Sequence, residues 1–121
     1  MAAGRRTLRI LVVARYNDLC DEVVEELKDG GEDACCASST DDAVGRLRAE
    51  LFHVAVIEEV PPQLATNFRP VCVEATRRGL PWVAMVSTRV PDGAAAVLRM
   101  PFSTAQLLNA VRSVVQLRLV R

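Results

Sequence analysis

Residues 52–62 read FHVAVIEEVPP, and the fold class turns on this stretch. Val54, Ala55, Val56 and Ile57 run without a polar break into two carboxylates, Glu58 and Glu59, and a pair of prolines follows Val60. A short apolar run bounded in this way reads as a strand buried on both faces. Such strands belong to parallel sheets covered by helices. In open parallel sheets the chemistry sits just beyond the carboxyl ends of the strands, where Glu58 and Glu59 fall.

Similar runs stand on either side. Residues 8–14, LRILVVA, read as a first strand, 82–86, WVAMV, as a fourth, and 95–99 as a short fifth. Residues 33–37, DACCA, are weak in β-propensity and read as a second strand at the sheet edge. Helices alternate with them. Leu19, Val23, Val24 and Leu27 share one helical face with Asp21, Glu22, Glu25 and Glu26 outward, and Asn17 or Asp18 is a candidate cap. Asp29-Gly30-Gly31 ends that helix.

Ser38 to Asp42 offer caps for a second helix with inner face Ala43, Val44 and Leu47. Residues 64–69 read as loop or irregular turn, and Pro70 opens a third helix that stops at Arg77-Arg78-Gly79. Ser103 and Gln106 form a capping box for a last helix with the stripe Leu107, Leu108, Val111, Val114 and Val115. The alternation predicts a doubly wound α/β sandwich. The link between the fourth and fifth strands is too short for an ordinary parallel crossover, so the helix expected there is lost or shortened.

With 121 residues, half of them apolar, the chain is expected to form one domain with its core at residues 8–116. No apolar run approaches the roughly 20 residues of a membrane span. The basic N-terminus leads straight into a strand without a signal-peptide pattern, so the cytoplasm is the expected location. Cys20, Cys35, Cys36 and Cys72 lack metal-ligand spacing and are expected to be buried free thiols.

The zero net charge divides unevenly: residues 1–60 carry 7 Lys/Arg against 13 Asp/Glu, and residues 61–121 carry 8 against 2. Such a dipole can orient a charged partner or another copy, or it can be charge scattered over the surface. Nothing in it resembles the basic stripe of a nucleic-acid binder.

The order of these pieces resembles the receiver domain of bacterial response regulators, a flavodoxin-like (CheY-like) five-stranded parallel module. ILVV at 10–13, the strand and loop at 52–62, Gly79-Leu80-Pro81 and Pro101-Phe102-Ser103 carry the likeness over nearly the whole chain. Receivers accept a phosphoryl group from a histidine kinase on an aspartate after their third strand. Mg²⁺ held by acids after the first strand, a hydroxyl after the fourth and a lysine after the fifth support that transfer.

This chain departs at each place. Ala14-Arg15 stands where the acids would be, Glu58 at the phospho-accepting position and Met100 at the lysine position; the hydroxyl position falls on Val86 or Ser87. The aromatic often found three residues before the lysine is Val97. Arg15 is expected to fork onto Glu58 or Glu59 in place of the metal, or to point to solvent. Glu58 could also mimic a phosphorylated aspartate.

The resemblance, with these departures, implies a non-enzymatic pseudo-receiver acting in bacterial signalling or transcriptional regulation through protein contact, without phosphorylation. It implies no cofactor and no Mg²⁺, and a partner that is another protein or a second copy in a homodimer. Neither nucleic acid nor membrane is expected to be contacted directly. The shortened link is expected to uncover apolar surface at Trp82, Met85, Val97, Leu98 and Phe102 as the interaction face, unless the loop folds back and covers it.

Two alternatives remain. One is a receiver still phosphorylated, on Glu58. The other is a small flavodoxin-like enzyme or ligand-binding protein, for which Cys72 and His53 are the conceivable nucleophile and base. No glycine-rich phosphate loop supports it, because Gly30-Gly31 ends a helix.

Overall fold

The computed structural model describes residues 7–60, 67–87 and 91–120, with side chains to residue 116. The elements run β1 (Arg9–Val13), α1 (Asn17–Asp29), β2 (Asp33–Ala37), α2 (Thr40–Ala49), β3 (Val54–Glu58), α3 (Arg69–Arg77), β4 (Trp82–Val86), β5 (Ala96–Arg99) and α4 (Thr104–Val120). The loop expected at residues 64–69 lies mostly outside the described residues, and Arg69 belongs to α3.

The five strands form one sheet in the order β2-β1-β3-β4-β5, with every neighbouring pair parallel. This is the doubly wound flavodoxin-like arrangement that the alternation predicts. Each residue of β3 and of β4 is buried, as continuous apolar runs require between two helical layers. Side-chain alternation splits the core in two. Ile10, Val12, Val54 and Val56 pack with α1 and α4 through Val23, Leu27, Leu107 and Val111. Leu11, Val13, Ala55 and Ile57 pack with α2 and α3 through Ala43, Leu47, Val71 and Ala75.

Local signals explain most of the helix ends. The Ser39 hydroxyl accepts from the Asp42 N–H at 3.1 Å, capping α2. Ser103 and Gln106 exchange side-chain bonds at 3.1 and 2.8 Å ahead of α4, so the capping box forms. The cap of α1 differs from expectation: Tyr16 occupies the position with no side-chain bond, and Asn17 and Asp18 lie inside the helix. At the other end Gly31 takes a φ of 92°, a conformation glycine adopts without penalty.

Among the described residues no helix joins β4 to β5. The chain instead turns at Pro91 to Gly93 and lies against the indole of Trp82, to which a Cβ at Gly93 would come within 3.5 Å. This corrects the expected interaction face. Trp82, Met85 and Leu98 are buried, and Val97 and Phe102 are half-buried. These residues do not share a side either. Trp82 and Val97 belong to the α2–α3 core, whereas Met85, Leu98 and Phe102 belong to the α1–α4 core. The turn covers Trp82 on one side of the sheet, and the α1–α4 core covers Met85 and Leu98 on the other.

A second correction concerns cysteine. Cys20 of α1 and Cys36 of β2 are joined by a disulfide, their Cα atoms 5.9 Å apart, and only Cys35 and Cys72 are free thiols. Alternation along β2 explains the split: Cys36 faces the α1 layer, while Cys35 faces the α2 layer beside Arg46.

Candidate functional site

The site lies where the strand order reverses. α1 follows β1 into one helical layer and α3 follows β3 into the other, so a crevice opens beyond the carboxyl ends of these paired strands. Val13 pairs with Ile57 in the register, which sets Ala14 and Arg15 beside Glu58 and Glu59.

Arg15 and Glu58 meet in three hydrogen bonds. The Arg15 backbone N–H donates to Oε1 at 2.8 Å, and its Nε and Nη2 donate to Oε2 at 3.3 and 3.0 Å. The Glu58 side chain is only 4% exposed, against 22% for that of Arg15. The guanidinium also stacks over the Tyr16 ring, 5.0 Å from its centroid. Hydrogen bonding to Glu58 holds the Arg15 guanidinium above its ordinary pKa, opposed by partial burial. Of the two acids, Glu58 takes the arginine. Glu59 is half-buried, and its backbone N–H donates to the Met85 carbonyl at 2.9 Å.

Of the remaining positions, Ser87 alone carries a polar side chain. Ala14 and Val86 are fully buried, and Ser87 is exposed. Met100 packs on the apolar core of the α1–α4 side. A divalent cation of the Mg²⁺ kind needs several oxygen ligands, and the residues here do not fit one. One carboxylate is present at the crevice floor, and both of its oxygens already accept from Arg15. Among the described residues no three His, Cys, Asp or Glu side chains gather in a metal-binding group.

Beside this pair a cavity of about 380 Å³ is lined by Glu59, Phe68, Arg69, Cys72, Trp82 and Asp92, among others. Burial pushes the Cys72 thiol up to about 11, so it is not an activated nucleophile. His53 precedes β3 at the opposite end of the sheet, where its Nδ1 accepts from the Arg9 backbone N–H at 2.8 Å. Cys72 and His53 are therefore not brought together.

Two buried carboxylates escape sequence reasoning. Glu32 accepts from the Leu8 N–H at 2.9 Å and from Arg112 Nε at 2.8 Å, tying α4 to the residue just before β1. Glu74 of α3 is reached by Arg78 at 2.6 Å, Arg77 at 3.0 Å and Arg48 of α2 at 3.5 Å. Only the helical spacing of Glu74 to Arg77 and Arg78 was open to view in the sequence.

No family model matches the sequence, and no curated protein does. Solved structures do match. The receiver domain of the Francisella response regulator 1452 is 16% identical, with a TM-score of 0.77 over 93% of this chain and 99% of that one. A CheY-like receiver domain protein from Methanospirillum hungatei JF-1 is 17% identical, with a TM-score of 0.78 over 92% of this chain and 95% of that one. NtrX from Brucella abortus is 18% identical, with a TM-score of 0.81 over 93% of this chain and 28% of its own. With its strand order and these matches over nearly its whole length, the chain has the fold of CheY-like response regulator receiver domains.

Proposed function

We propose that this chain is a signalling module of the receiver type that works by protein contact and without phosphorylation. The observation that carries this is the Arg15–Glu58 pair. In a receiver the crevice changes state when a phosphoryl group and a metal ion enter it. Here a fixed cation already neutralises the buried carboxylate of Glu58, through donors to both oxygens. A carboxylate engaged in this way is a weaker nucleophile, since the donors to both oxygens draw off their charge. The lysine position holds Met100, which has no charge to stabilise a transferred phosphoryl group.

The test is incubation with acetyl phosphate and Mg²⁺, read by intact-protein mass. An unchanged mass is the expected result. A phosphoryl adduct that disappears in Glu58→Gln would overturn the proposal and make Glu58 an acceptor. A melting temperature unmoved by millimolar Mg²⁺ is expected in parallel.

A further inference from the structure

We propose that copies of this chain associate head to tail, the acidic outer stripe of α1 in one copy lying against an arginine patch on α2 and α3 of the next. This rests on the protein-contact reading above and names the surfaces and the partner.

The acidic surface is built by spacing. Asp18, Glu22, Glu25 and Asp29 recur at intervals of four, three and four along α1, so they form one stripe on the face away from the core. At 1.5 Å per residue it runs for about 16 Å. All four are exposed, and none forms an ion pair among the described residues. Lys28 is the single basic residue of this helix.

The basic surface is built by convergence. Arg48, Arg77 and Arg78 all reach Glu74, and their side chains are 61%, 67% and 40% exposed. One carboxylate cannot neutralise three guanidinium groups, so the patch keeps an excess of positive charge with free N–H donors. Arg48 and Arg77 are tethered at one end and open to solvent at the other, which lowers the ordering cost of binding a further carboxylate.

Topology decides how the surfaces meet. α1 packs on one side of the sheet and α2 with α3 on the other, so the stripe and the patch face away from each other within one copy. A twofold dimer built on either surface alone would oppose like charges, which is unfavourable. Nor can a twofold dimer join stripe to patch twice, because they lie on opposite faces. The remaining contact is heterologous, and it leaves a free stripe at one end and a free patch at the other, so association continues.

The test is light scattering over a concentration series. At about 50 mM salt the mass-average molar mass should rise with concentration without levelling at a dimer. At about 500 mM salt, where charges are screened within a few ångströms, it should return to the monomer, with the association constant down at least tenfold. Glu22→Arg/Glu25→Arg should be monomeric at low salt, and so should Arg48→Glu/Arg77→Glu. An equimolar mixture of the two variants should associate again, because each then supplies the sign the other lacks.

The first variant alters exposed residues that form no ion pair among the described residues. Its result therefore decides the matter even if loss of two arginines beside Glu74 unfolds the second. A monomer at low salt, a plateau at the dimer, or association indifferent to salt or to Glu22→Arg/Glu25→Arg would overturn the proposal. A monomer that takes no phosphoryl group would refute only the head-to-tail contact. A phosphorylated chain that still polymerises would refute only the phosphorylation-independent reading.

Discussion

Removing the Arg15 side chain tests the centre of the site. Arg15→Ala deletes the two guanidinium bonds to Glu58, at 3.3 and 3.0 Å, and keeps the backbone N–H bond at 2.8 Å. Breaking a buried pair by removing one partner costs about 3–5 kcal/mol. The surviving N–H bond and the 22% exposure of the arginine lower that figure, and we expect about 2 kcal/mol. In a domain of this size that corresponds to roughly 8 °C in Tm. Glu58→Gln leaves Arg15 an amide oxygen to donate to and should cost about 1 kcal/mol. The double variant Arg15→Ala/Glu58→Gln buries no unpaired charge and should cost about 1.5 kcal/mol, so the cycle yields a coupling of about 1.5 kcal/mol. Urea unfolding followed by circular dichroism measures all four proteins. A coupling under about 0.3 kcal/mol, the level of independent sites, would mean that the pair does not hold the crevice together.

Three further outcomes follow from particular contacts. A Cβ at Gly30 would stand 2.6 Å from Cδ1 of Leu108, so Gly30→Ala should cost about 1 kcal/mol or more, and Leu108→Ala introduced with it should relieve part of that loss on the same unfolding curve. Hydrogen bonds from Arg78 and Arg77 lower the Glu74 carboxyl from 4.5 to about 2. Because the folded value lies below the unfolded one, its stabilisation is present above about pH 4.5 and fades as pH falls toward 2. The stability gap between this chain and Glu74→Gln should narrow across that window, and a constant gap would refute the assignment. With its thiol pushed up to about 11 by burial, Cys72 should alkylate far more slowly at pH 7 in the folded chain than in urea; equal rates would contradict the burial.

The elements were legible because each is written in local chemistry. The apolar runs of β3 and β4 announce burial on both faces, and both strands are buried throughout. The stripe of α4 and its capping box state where that helix starts and which side it turns inward. An ion pair of Arg15 with Glu58 or Glu59 was legible as one of two outcomes, and the three bonds to Glu58 decide it. The choice of Glu58 over Glu59 as the partner of Arg15 was not, since strand alternation turns neighbouring side chains to opposite faces and only the register fixes which one meets the arginine.

By itself the sequence determined the strand and helix succession, the parallel sheet and the end of it at which Arg15 and Glu58 stand, because hydrophobic periodicity and caps act over a few residues. Tertiary structure alone decided the rest. It joined Cys20 to Cys36 across 16 residues, laid the Gly93 turn over Trp82 where an exposed face was expected, and gathered three arginines from two helices around Glu74. Each of these depends on which segments pack together in space, and no local pattern encodes the distance between side chains brought together only by folding.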